Sequence, residues 1–206
     1  MNDFFRQLQN GFHQMTLLEI IAVVFAVISV IYQKKNSILV YPAGLVSTGI
    51  YVYLLSRDHF KLYADAALNA YYFVMSVYGW IYWARKNPAA AEVPITRSSL
   101  KELGIATLIA AFGWFVFHYL LTHYSDSNVP VMDAFVSATA CAGMWLLAKR
   151  KLENWIYLNI SNLAAIPLLF SKTLYFTALL TIFLFIIAVF GYFSWRKAVL
   201  QRETSQ

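Results

Sequence analysis

Seven long apolar runs divide this chain, and short polar or basic turns separate most of them. They cover 16–33, 38–55, 62–84, 103–121, 131–148, 155–170 and 174–195. A spanning helix needs about 20 mostly apolar residues, within a range of roughly 17–25. The sixth run is short and carries Asn159, Asn162 and Pro167, while the third carries Asp65 and Asn69. Lipid offers no partner to an exposed strand edge, so each run is predicted as a helix. The pattern predicts an all-α polytopic membrane protein with seven transmembrane helices, forming a single transmembrane domain over 1–206.

Composition agrees. The 206 residues are 60% apolar and only 13% charged, against about 45–50% and about 25% in soluble domains. Aromatic residues reach 17%, which suits two membrane interfaces. The net charge of +6 does not point to nucleic acid, because the basic residues lie in the turns. One side holds Arg6, Arg57, Lys61 and Lys172. The other holds twelve, in the groups Lys34–Lys35, Arg85–Lys86, Arg97 with Lys101, Lys149 to Lys151, and Arg196, Lys197 and Arg202. By the positive-inside rule the twelve face the cytoplasm, so the N-terminus is outside and the C-terminus inside. The first fifteen residues lack the basic region of a cleaved signal peptide. Phe4, Phe5, Leu8 and Phe12 suit either an interfacial helix or a frayed tail. Cys141 is the only cysteine, so neither a disulfide framework nor a cysteine-based metal site is expected.

Residues 62–86 match 174–198 at an offset of 112, with eight identities that include Gly79/Gly191 and Trp83/Trp195. Upstream, each copy has a basic turn followed by an aromatic: Lys34–Lys35 then Tyr41, and Lys149 to Lys151 then Trp155. The chain reads as repeat 1 (about 16–86), a linker helix (about 103–121) and repeat 2 (about 131–198). Helix five starts four spans after helix one, so the triplets are parallel. A pseudo-two-fold axis along the membrane normal is expected to relate them.

Polar side chains at bilayer depth are costly and usually face a bundle interior or a cavity. On helix three, Asp65, Asn69, Tyr72, Ser76, Trp80 and Trp83 share one face; on helix six, Trp155, Asn159 and Asn162 do. Helix two offers Tyr41, Gly44, Thr48 and Tyr51, and helix five Asp133, Ser137 and Trp145. Such faces supply aromatic plates and neutral amides, fit for a flat, weakly charged or cationic ring. Ser76 and Ser137 are better read as hydrogen bonds between helices. Trp83 and Trp195 are expected to anchor at the interface beside basic residues. Gly79 and Gly191 are expected to allow close helix approach. Asp65, Asp133, His118 and His123 lie near outer helix ends, where a solvated group is the simpler reading than a proton carrier. The four histidines, with His13 and His59, lack metal-ligand spacing, and no phosphate-binding loop or nucleophile elbow occurs. No cofactor is expected. An enzyme and a membrane scaffold or receptor are the competing classes.

At these residues a family becomes visible. NSILVYPAGLVSTGIYVYLL, LYADAALNAYYFVMSVYGWIYW and DAFVSATACAGMWLLAKRKLENWIYLNISNLAAIPLLF resemble the PnuC family of bacterial vitamin transporters, over about 15–200. The resemblance implies a three-plus-one-plus-three, SWEET-like fold in the bacterial inner membrane and a homotrimer. It implies facilitated diffusion of nicotinamide riboside, which a cytosolic kinase then traps by phosphorylation. It places the substrate mid-membrane among helices two, three and six, on Asn69, Tyr72, Trp155, Asn159 and Asn162; Thr48, Tyr51 and Ser76, from the polar faces above, complete the candidate substrate-binding set. Where the family's sixth helix often carries a second Trp three residues on, this chain has Leu158. One aromatic plate is thus missing or displaced, and thiamine, also a cationic aromatic, is the runner-up, with riboflavin after it. A coupled symporter is the alternative mechanism.

Overall fold

A computed structural model describes residues 15–56, 62–85 and 93–204. Arg6, Arg57, Lys61, Lys86, His13, His59 and the phenylalanines before residue 14 lie outside the described residues. The described chain forms seven helices: α1 (Leu17–Lys34), α2 (Val40–Leu55), α3 (Tyr63–Ala84), α4 (Leu100–Tyr124), α5 (Pro130–Ala148), α6 (Asn154–Ser171) and α7 (Tyr175–Glu203). Their starts are chemically marked. Thr16 and Glu19 close a capping box on α1, and Ser99 and Glu102 close one on α4, so the first amide groups of each helix are satisfied. Pro130 opens α5, where its fixed φ suits the first turn. Six helices end within about three residues of their predicted ends. α7 instead continues eight residues past Trp195, because its tail is solvated and Glu203 pairs with Arg97 at 3.3 Å.

The helices close into a ring. α1 packs on α2 and α2 on α3; α5 packs on α6 and α6 on α7. The third helix of each triplet then meets the first helix of the other, α3 on α5 and α7 on α1. α4 stands outside the ring, mainly against α5. Its outer face is exposed and apolar through Leu108, Phe112 and Phe115, as lipid contact requires. By length and composition α1, α4, α5 and α7 can each cross a membrane, and α2 is a shorter apolar helix of 16 residues. α3 and α6 carry the polar residues that face inward.

The turns after α1 and α5, and the entries to α3 and α7, share backbone geometry. Asn36 and Arg150 both hold φ 56°. Lys35 and Lys149 end α1 and α5 at φ −76° and −82°, and Leu62 and Leu174 precede α3 and α7 at φ −93° and −85°. The basic turns fold over the ends of α3 and α7. There Tyr41, Trp83, Trp195 and Trp155 form one buried aromatic cluster, with Trp83 and Trp195 6.1 Å apart. Trp83 and Trp195 are therefore not interface anchors; they are 4% and 1% exposed. The Arg150 guanidinium covers Trp83 at 4.3 Å, and Trp195 Nε1 donates to the Gln33 carbonyl at 3.0 Å. Each tryptophan is thus met by the opposite triplet rather than by headgroups.

On the same side, the segment before α4 straps the α5–α6 turn. Leu152 N donates to Thr96 O at 3.0 Å. The amide and hydroxyl of Ser98 both donate to Glu153 Oε2, at 2.7 and 2.6 Å. At the other end, Lys172 holds both Asp133 oxygens at 2.6 Å, and Ser127 donates to the same carboxylate. Asp133 is therefore paired rather than solvated. His118 is also packed: its ring lies parallel to Trp114, with centroids 5.2 Å apart, and its Nδ1 is buried.

Candidate binding cavity

The ring encloses a cavity of about 280 Å³. Its wall draws on every ring helix: Ser29 and Gln33 from α1; Gly44, Ser47, Thr48 and Tyr51 from α2; Asn69, Tyr72 and Ser76 from α3. Met144 and Leu147 come from α5, Trp155, Leu158 and Asn162 from α6, and Leu184 and Ala188 from α7. α4 contributes nothing to it. Seven of the eight residues singled out in the sequence line this wall, namely Thr48, Tyr51, Asn69, Tyr72, Ser76, Trp155 and Asn162. Asn159 is not among the lining residues. Its amide donates back to the Trp155 carbonyl at 2.8 Å, and its Oδ1 is buried without a partner.

Small residues make the room. A Cβ on Gly44 would stand 3.3 Å from Ser29 Oγ and 3.4 Å from Ser76 Oγ, so α1, α2 and α3 converge there because position 44 has no side chain. Thr48 returns its hydroxyl proton to Gly44 O at 2.8 Å, and Ser29 donates to Val40 O at 2.8 Å. The Asn69 amide donates to Asp65 O at 2.9 Å. Ser76 and Trp155 differ. They are 1% and 0% exposed, yet Ser76 Oγ and Trp155 Nε1 have no hydrogen-bond partner. The expected interhelical bond from Ser76 is not made. A buried polar atom left unpaired costs about 1–3 kcal/mol, and Tyr41 Oη and Trp83 Nε1 in the aromatic cluster are unpaired as well.

The aromatic wedges are paired across the ring. Tyr41 sits so close to Gly79 that a Cβ there would meet its ring at 2.4 Å. Trp155 does the same to Gly191 at 2.6 Å, so both glycines permit the close approach expected of them. Trp155 also meets Trp195 edge to face, at 5.7 Å and 88°. Its indole is thus a fixed wall, with one edge seated in α7. Leu158 leans on Gly143, where a Cβ would stand 2.9 Å away. The wall carries no carboxylate, ammonium, guanidinium or imidazole group among its described residues. Asp133 and Lys172 neutralise each other away from it. Among the described residues, no three His, Cys, Asp or Glu side chains cluster as metal ligands.

The contribution of α1 to the wall was not among the expected contacts. Gln33 is 4% exposed and lies on the wall beside Ser29. The four-residue spacing of Ser29 and Gln33 in an otherwise apolar run was the available signal.

The sequence pattern of the nicotinamide mononucleotide transporter family matches residues 16–197. The chain belongs to that family. The chain is also similar to the nicotinamide riboside transporter PnuC of Neisseria mucosa. That protein is 25% identical over 208 aligned positions, which cover 90% of this chain and 74% of the relative. The crystal structure of the vitamin B3 transporter PnuC matches with a TM-score of 0.71 at 22% identity, over 96% of this chain and 90% of that one. The PnuC family and the seven-helix fold read from the sequence are thereby established, and the chain is a multi-pass bacterial membrane protein of a transporter family.

Proposed function

We propose that this protein carries nicotinamide riboside across the bacterial inner membrane through the central cavity. The observation that carries the reading is a neutral, aromatic-flanked hole at the centre of a ring of six helices. Its volume of about 280 Å³ sits near the lower bound of about 300 Å³ for small-molecule sites, which favours a nucleoside or thiamine over the larger riboflavin. A phosphate group at this depth needs an arginine or lysine partner, and the wall has neither, so the riboside suits the site better than its mononucleotide. Asn69, Tyr72, Trp155, Asn162, Thr48, Tyr51 and Ser76 are the proposed contacts. Asn159 is retained as a support behind Trp155.

In this reading the two triplets are parallel repeats related by a pseudo-two-fold axis. The matched turns at Asn36 and Arg150, the paired wedges at Gly79 and Gly191, and the reciprocal packing of α3 on α5 and α7 on α1 support it. Transport is facilitated diffusion, driven by cytosolic phosphorylation of the arriving riboside. The C-terminus faces the cytoplasm and the N-terminus the outside, and the assembly is a homotrimer.

Calorimetric titration of the purified protein with nicotinamide riboside, thiamine and riboflavin tests the substrate. Saturable binding of the riboside ahead of thiamine is expected. Thiamine is favoured only if Leu158 has removed the plate that the riboside needs. Proteoliposome uptake that persists with proton and sodium gradients collapsed tests the mechanism, and uptake that stops would mark a symporter.

A further inference from the structure

Gln33 is an amide on the cavity wall whose orientation is fixed by a relay between distant helices. The fixing begins at the Lys151 carbonyl, which can only accept. Asn154 Nδ2 donates to it at 2.6 Å, so the Asn154 amide must turn its oxygen the other way. That oxygen accepts from Gln33 Nε2 at 2.9 Å, so Gln33 must turn its nitrogen toward Asn154. The Gln33 backbone is also held, since its carbonyl accepts from Trp195 Nε1. Asn154 is 0% exposed and is not part of the cavity wall. The relay therefore runs from the basic turn of the second triplet to the end of α1; it uses one N–H of each amide and fixes which way each amide faces. Gln33 Oε1 is left without a donor among the described residues.

We propose that Gln33 is a specificity-determining residue, whose fixed carbonyl oxygen selects substrates that present a hydrogen-bond donor to the α1 side of the cavity. The inference rests on the riboside reading above and names the group being read. A nicotinamide ring carries a carboxamide, whose N–H donates to Gln33 Oε1. The analogue with a carboxylate in its place offers only acceptors, and its lone pairs face those of Oε1. Because Asn154 stops the Gln33 amide from flipping, the site cannot adapt to the acid. A site built around a fixed hydrogen bond rejects the analogue that lacks it, since the buried partner is then left unpaired.

The test is calorimetric titration of the full-length protein in detergent with nicotinamide riboside and with its carboxylate analogue. The native protein is expected to bind the amide at least tenfold more tightly than the acid. Gln33→Met is expected to weaken amide binding about tenfold and leave acid binding nearly unchanged, so the ratio collapses. A merely structural role would weaken both ligands alike. Asn154→Ala leaves the wall intact but frees the Gln33 amide to flip, so it is expected to raise acid binding relative to amide several-fold. If Gln33→Met does not fold, Asn154→Ala decides alone. A native protein that binds the amide, with an amide-to-acid ratio unmoved in these variants, overturns the role of Gln33 only. A native protein that binds no riboside overturns the transport reading, and this inference with it.

Discussion

Gly191→Ala probes the wedge between α6 and α7 most directly. The new Cβ would lie 2.6 Å from Trp155 Cη2 and Cζ2. To reach an ordinary contact of 3.4 Å the indole must retreat by about 0.8 Å. Trp195 blocks one direction, packed edge to face at 5.7 Å. The ring therefore yields toward the cavity or forces α7 outward. Inserting a methyl group into such packing costs about 1–3 kcal/mol. A displacement of this size in a wall that positions a ligand weakens binding about tenfold to a hundredfold. Gly104→Ala is the control: a Cβ there meets nothing within 4 Å, and the exchange gains up to about 1 kcal/mol of helix propensity. Thermal unfolding of both variants in one detergent at one scan rate, followed by titration with nicotinamide riboside, separates them. Gly191→Ala is expected to melt several degrees lower and bind weakly, and Gly104→Ala to match or exceed the native protein. A Gly191→Ala variant with native melting and native affinity would show that Trp155 is not wedged against α7.

Trp155→Ala removes the wall itself, so riboside affinity should fall roughly tenfold or more, and unchanged calorimetric affinity would remove Trp155 from the site. Lys172→Met strands the Asp133 carboxylate, whose pair is only 27% and 16% exposed; a loss of about 1–3 kcal/mol is expected. The double variant Asp133→Asn with Lys172→Met should regain part of that loss in thermal unfolding, and strict additivity would show that the pair is not coupled. A cysteine placed at Glu203 in a Cys141→Ala background should react with an impermeant thiol reagent in inverted vesicles and not in intact spheroplasts. The reverse pattern would overturn the assigned topology.

Much of the site was legible because helical period groups residues on faces. Asn69, Tyr72 and Ser76 recur at the spacing of one helix face, and all three line the cavity. The same rule overreached at Asn159, which shares a face with Trp155 and Asn162 by spacing. Its amide is drawn instead to the carbonyl one turn back, a local bond that competes with any ligand. The rule fell short at Gln33, whose value depends on Asn154, a residue 121 positions away. It also misjudged Trp83 and Trp195. An aromatic beside a basic turn looks the same whether it meets a headgroup or a turn folded over from a distant part of the chain.

The sequence by itself determined the seven helices, the gathering of basic residues in the turns between them and the family. These are local properties: bilayer thickness sets run length, and charge is read turn by turn. Only the tertiary structure decided which helix meets which, and hence that the spans close into a ring around a neutral hole. Lipid tails are as apolar as leucine, so hydrophobicity does not tell a lipid-facing residue from one packed on a neighbouring helix. That choice rests on small residues at the contacts, as at Gly79 and Gly191. It rests equally on polar bonds between distant turns, as from Arg150 to Asn36 and from Gln33 to Asn154.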